Sequence, residues 1–155
     1  MQHVKTADFK PFDAHDWRVG IVVAQFNQPI TEQLAASALK RAGSYQLKPE
    51  NITTVTVAGC VEIPLVLQQL ARTKRYDALL ALGCVVQGET PHFDYVCKFV
   101  TEGVLRVQLD EQIAVGFGVI TCHNQAQAEA RANLGDQFLD AALQQARSIR
   151  QLKKN

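Results

Sequence analysis

Residues 78–92 read Ala78-Leu79-Leu80-Ala81-Leu82-Gly83-Cys84-Val85-Val86 followed by Gln87-Gly88-Glu89-Thr90-Pro91-His92. Nine apolar residues without a polar break fall well short of the roughly 20 a membrane helix needs. They suit a strand covered on both faces, and the Gly-Glu-Thr-Pro turn after them suits the start of a helix. Outward from this point the same alternation repeats. Strand-like runs occupy Arg18–Ala24, Ile52–Ala58 and Ile113–Thr121. Segments of helical period lie between them. Thr31–Ala42 carries Leu34, Ala38 and Leu39; Ile63–Thr73 carries Leu67, Leu70 and Ala71; His92–Leu109 carries Phe93, Val96, Val100, Val104 and Val107. A last helical region runs from about Gln125 to Leu152, with a break at Gly135. The order predicts an α/β fold with a four-stranded parallel sheet between helix layers. Residues 1–155 read as one domain, with 1–12 as an N-terminal arm or added edge strand.

The 155 residues are 47% apolar and 20% charged, which excludes a disordered chain. Sixteen Lys and Arg against fifteen Asp and Glu leave +1, with no basic patch, so neither nucleic acid nor a membrane surface is the expected partner. Residues 1–8 have no apolar signal core, and the expected location is the cytoplasm. Cys60, Cys84, Cys97 and Cys122 form no C-x-x-C pair, so reduced, buried thiols are expected.

In such sheets ligands bind beyond the carboxyl ends of the strands. Gly83 to Thr90 matches the nucleotide loop G-x-x-x-x-G-K-[ST] except at the lysine, where Glu89 stands. That reversal of charge rejects nucleotide hydrolysis. What survives is a turn with Gly88 open to a ligand, Thr90 as expected N-cap and Pro91 in the first helical position, either an anion site or an ordinary capped helix. His92 beside it suits a proton shuttle or is a surface residue. Glu62 could accept polyol hydroxyls or simply favour a helix dipole. Phe26 and Asn27 offer a flat face and an amide to a heterocycle, or form a common turn. Arg131 could clamp a phosphate or solvate its helix. Cys60, Cys84, Cys122 and His123 all fall at strand ends, but without recognisable metal-ligand spacing; no metal is expected.

Five blocks, taken together and in order, resemble the 6,7-dimethyl-8-ribityllumazine synthase family. They are Phe26-Asn27-Gln28-Pro29-Ile30-Thr31, Ala58-Gly59-Cys60-Val61-Glu62-Ile63-Pro64, residues 76–83 (Y-D-A-L-L-A-L-G), residues 88–96 (G-E-T-P-H-F-D-Y-V) and Phe117-Gly118-Val119-Ile120-Thr121. The resemblance spans about residues 17–150 and implies a flavodoxin-like three-layer sandwich. It implies a transferase condensing 5-amino-6-(D-ribitylamino)uracil with 3,4-dihydroxy-2-butanone 4-phosphate, releasing phosphate and water, in the penultimate step of riboflavin biosynthesis. No cofactor is implied.

Carried over by position, Phe26 would stack on the pyrimidine, and the backbone at Cys60, Val61, Cys84, Val85 and Val86 would pair with its polar edge. Glu62 would hold ribityl hydroxyls. The amides of Glu89 and Thr90, with Arg131, would bind the phosphate, and His92 would move protons. Phe117 would close the site from a neighbouring subunit. The implied partners are the chain itself as a pentamer, extended to a decamer or a sixty-subunit icosahedral shell, and riboflavin synthase.

Three positions depart from the family pattern. Val61 replaces a usual aromatic, Cys122-His123 occupies a stretch more often threonine and an acid, and Ala132-Asn133-Leu134-Gly135-Asp136 is a shortened link. The first and third keep an alternative open, a non-catalytic lumazine- or flavin-binding or shell-forming paralogue.

Overall fold

The structure, a computed structural model, describes residues 7–154. Four strands and five α-helices alternate along the chain: β1 (Val19–Ala24), α1 (Ile30–Ala42), β2 (Ile52–Val57), α2 (Ile63–Arg72), β3 (Ala78–Val86), α3 (His92–Asp110), β4 (Ala114–Cys122), α4 (Gln125–Arg131) and α5 (Gly135–Lys153). The strands form one parallel sheet in the order β2-β1-β3-β4. Val19 lies opposite both Ile52 and Ala78, and Ala78 opposite Ala114. The chain reverses its strand order after β2, so β1 and β3 are central and the turns at their carboxyl ends border a crevice.

β1 is buried throughout and β3 nearly so, because helices cover both faces. One face packs Leu34 and Ala38 of α1 and Leu139, Ala142 and Leu143 of α5 against Ile21, Leu80 and Leu82. The opposite face packs Leu67 of α2 and Val100, Val104 and Val107 of α3 against Val22, Leu79 and Ala81. β2 lies at an edge, and its Thr53, Thr54 and Thr56 are exposed accordingly. The expected three-layer α/β sandwich is present. Among the described residues no helix is long and apolar enough to cross a membrane.

Gly135 opens α5 and is more than a break. A Cβ there would stand 1.9 Å from the Leu34 carbonyl oxygen, so only glycine lets α5 start this close to α1.

The expected edge strand does not form over residues 7–12, which have no strand structure. Their peptide groups are taken elsewhere: Arg41 Nη2 donates to the Phe9 carbonyl and Gln144 Nε2 to that of Lys10, each at 3.0 Å. Phe12 meets the rings of Trp17 and Tyr45 edge-on at 5.2 and 5.1 Å. The arm is thereby strapped over α1 and α5. Beneath it Asp140 is fully buried, its Oδ1 accepting from Arg41 Nε at 2.8 Å and the Tyr45 hydroxyl at 2.5 Å. Residues 1–6, which complete the predicted arm and include His3, lie outside the described residues.

Candidate active site

The turn after β1 places the first site residue. Asn27 has φ of 68°, a left-handed conformation asparagine tolerates. Its Nδ2 donates to the Cys84 carbonyl at 2.7 Å, while the Phe26 amide donates to the Ala58 carbonyl at 3.0 Å. Fastened to both neighbouring strands, the turn leaves the Phe26 ring 71% exposed. The ring lies over Gly59, where a methyl group would come within 3.2 Å of both Phe26 Cδ2 and Glu62 Oε2. Glu62 Oε2 accepts the Gly59 amide at 3.0 Å, which holds the carboxylate beside the ring. Oε1 has no hydrogen-bond partner among the described residues and can accept from a ligand hydroxyl.

Cys60, Val61 and Glu62 form a tight 3-10 turn and not a strand end, because β2 stops at Val57. Val61 is at the surface and Cys60 is buried. The Cys60 sulfur occupies the space a side chain at Gly83 would need, 2.5 Å from a Cβ there. Burial pushes the Cys60 thiol up to about 11 and that of Cys84 to about 12. Cys97 and Cys122 also rise through burial, with Arg131 opposing the shift at Cys122. These thiols stay protonated near neutral pH and act as packing groups. Among the described residues no three His, Cys, Asp or Glu side chains gather as a metal site. His123 turns instead to Gln87: its Nδ1 lies 2.7 Å from Gln87 Oε1.

β3 outruns β1, since their pairing ends at Val23 and Leu82. Beyond it, Cys84 turns its carbonyl to the β1 side, where Asn27 Nδ2 donates to it. Gln87 N–H faces β4 and donates to the Cys122 carbonyl at 2.9 Å. Strand alternation therefore turns Val85 to β4 and Val86 to the open side, where its N–H and C=O form a free donor-acceptor edge.

The next turn is open as well. The amides of Glu89 and Thr90 have no partner among the described residues. α3 begins at His92, where the helical period starts, but its capping residue is Pro91 and not the expected Thr90. Thr90 is therefore not the N-cap; its Oγ1 accepts the His92 amide at a long 3.4 Å. Free amides at the positive end of a 19-residue helix attract an anion, and exposed His92 stands at that end.

Arg131 closes α4, whose N-cap Asn124 accepts from the Gln127 amide at 2.9 Å just beyond β4. One guanidinium nitrogen donates to the Gln127 carbonyl at 3.0 Å, and Arg131 makes no ion pair among the described residues. Arg131 thus sits at the same end of the sheet, without touching the Glu89-Thr90 turn in the free chain. Phe117 does not join these residues. It lies opposite Ala81, five positions before the end of β4 at Cys122, or about 16 Å along a strand. There it lines a groove of about 220 Å³ with Thr101, Val104, Leu105, Gln108 and Val115.

Of the two expectations for Asn27, an amide for a heterocycle or a turn residue, the structure shows the turn, with the amide donating to Cys84; neither that bond nor the pairing of Gln87 with His123 follows from the sequence pattern. Only the left-handed tolerance of asparagine hinted at the first; nothing local marked the second.

Residues 16–150 match the family model described as 6,7-dimethyl-8-ribityllumazine synthase. A protein of that name from Desulfovibrio desulfuricans is 40% identical over 144 residues, 92% of each chain. Others from Corynebacterium kroppenstedtii and Thermobifida fusca are 39% and 43% identical, covering 95% and 91% of this chain and 94% and 85% of their own. With this match over nearly the whole chain, and with the parallel sheet and turns the family blocks predicted, the chain belongs to the 6,7-dimethyl-8-ribityllumazine synthase family.

Proposed function

We propose that this chain forms 6,7-dimethyl-8-ribityllumazine in the cytoplasm, from 5-amino-6-(D-ribitylamino)uracil and 3,4-dihydroxy-2-butanone 4-phosphate, with release of phosphate and water. The carrying observation is the juxtaposition of the Phe26 ring and the Glu62 carboxylate across Gly59, at the end of the sheet that also bears the free amides of Glu89 and Thr90.

In this reading the pyrimidine stacks on Phe26 and pairs with the free edge at Val86, framed by Cys60, Val61, Cys84 and Val85. Glu62 Oε1 accepts ribityl hydroxyls. The Glu89 and Thr90 amides bind the phosphate, and Arg131 adds charge when its free N–H groups reach it. His92 takes and returns protons as the ring amine condenses with the ketone, phosphate leaves and the second ring closes. Holding both substrates supplies the larger share of the acceleration, up to about 7–11 kcal/mol.

The site is open on one side, and self-assembly would complete it. Tyr95, Phe99, Leu105 and Leu109 of α3 are 72%, 55%, 50% and 59% exposed, the kind of apolar face that marks an association surface. A second copy covering this face would bring its Phe117 to the site. A pentamer is the proposed unit, with a decamer or sixty-subunit shell as further assemblies and riboflavin synthase as a partner.

Mixing the two substrates with purified protein and following lumazine fluorescence together with phosphate release tests the reading. Stoichiometric appearance of both is expected. Tight pyrimidine binding without product would replace it with the holding paralogue.

A further inference from the structure

The turn that carries Glu89 and Thr90 is bracketed by one side chain from another strand end. His123, just beyond β4, has Nδ1 2.7 Å from Gln87 Oε1, at the entrance to the turn. Its ring also lies against Phe93, immediately past His92, with centroids 6.4 Å apart and planes at 41°. The backbone repeats the tie at the entrance, where Gln87 N–H donates to the Cys122 carbonyl at 2.9 Å. His123 is itself held by its own amide, which donates to Gln127 Oε1 at 2.7 Å on α4. The five residues from Gly88 to His92 are thus spanned by an imidazole that grips one side and abuts the other. Between these supports the turn has little to fix it: a side chain at Gly88 would touch nothing within 4 Å, and the Thr90 bond is long.

We propose that His123 is a positioning residue for phosphate binding. Acting through Gln87 and Phe93, it holds the Glu89 and Thr90 amides in the arrangement that receives a phosphoryl group. Oε1 of Gln87 can only accept, so the bond is made with Nδ1–H as its donor. Preorganised donors bind an anion better than donors that must be ordered by it, because the ordering entropy is already spent. The inference rests on the functional reading above for the identity of the phosphate ester, but not for the phosphate affinity itself.

Two substitutions separate this role from general support of the fold. His123→Phe keeps a ring against Phe93 and removes the Nδ1 donor; His123→Asn offers an amide N–H close to where Nδ1 lies. For His123→Phe the KM of the four-carbon phosphate and the Kd of inorganic phosphate are expected to rise about three- to tenfold, the worth of one net hydrogen bond. The pyrimidine KM is expected to stay put, and His123→Asn to recover most of the loss. Gln87→Leu should give the same phosphate-specific loss, with no further loss when combined with His123→Phe.

Unchanged phosphate affinity in His123→Phe would overturn the inference, as would an equal rise in both KM values or independent, additive effects of the two substitutions. Inorganic phosphate titration of the full chain decides this point by itself. A parent protein that binds phosphate but makes no lumazine would therefore sink the functional reading and leave this one standing.

Discussion

Asn27 Nδ2 donates to the Cys84 carbonyl at 2.7 Å, joining the turn after β1 to the exposed end of β3 across 57 residues of sequence. The bond takes up the Cys84 oxygen and fixes the turn that carries Phe26. It also marks where β3 has lost β1 as a neighbour and begins to face the crevice, while its pairing with β4 runs on to Val86.

Asn27→Gly keeps the left-handed backbone and removes the amide, so the pyrimidine KM should rise about three- to tenfold. Asn27→Ala adds roughly 1–2 kcal/mol of backbone strain and should also lower the urea midpoint. Steady-state kinetics with each substrate varied in turn checks this. An effect confined to the phosphate substrate would refute the assignment of Phe26 to the pyrimidine.

His92→Ala should slow turnover by about 100- to 10,000-fold without abolishing it, because positioning of the two substrates persists. Single-turnover fluorescence at saturating substrates is the measurement. A variant that binds both substrates normally and shows no reaction would mean that proton transfer, not positioning, is the main term.

Arg131→Ala should raise the KM of the phosphate substrate by about 10- to 150-fold, the range for a charged hydrogen bond, and leave the pyrimidine KM within twofold or so. Arg131→Lys keeps the charge but loses the fork and should recover only part. Equal affinities in Arg131→Ala and parent would remove Arg131 from the phosphate site.

Asp140→Asn leaves the Arg41 guanidinium and the Tyr45 hydroxyl facing an amide in place of a carboxylate. Arg41 is 27% exposed and can rehydrate, so the loss should be about 1–3 kcal/mol, below that of a fully buried pair. Urea denaturation reads it, with both KM values unchanged because Asp140 lies under the arm and away from the site. A change in either KM would show that the arm couples to the active site.

The raised thiols and the Tyr45 hydroxyl, pushed up to about 12 by burial and by its bond to Asp140, make stability fall in alkali. A folded-state pKa above the unfolded one gives stability that is complete below the unfolded value and is lost as pH rises towards the folded one. For Cys60 and Cys84 this window runs from 9 to about 11 and about 12, and for Tyr45 from 10 to about 12. The urea midpoint should be flat up to about pH 9 and then drop. Cys84→Ala should flatten the early part of the drop, and thiol reagents at pH 8 should react far faster with unfolded protein.

The strands and helices were legible because burial leaves a local imprint. A strand with helices on both faces must be apolar at every position, as 78–86 is, and a helix on a sheet must be apolar every third or fourth residue, as 92–109 is. The turn blocks bearing Phe26, Glu62 and His92 were legible for the same reason, since their chemistry is carried by neighbours in sequence.

What joins those blocks was decided only in three dimensions. Asn27 meets Cys84, and Gln87 meets His123 from 36 residues away, because β3 extends past β1 and keeps step with β4. The path of the arm over Asp140 depends likewise on which surfaces come together. Residue patterns state how much each segment must bury; strand register and helix packing determine which distant polar groups end up within hydrogen-bonding reach.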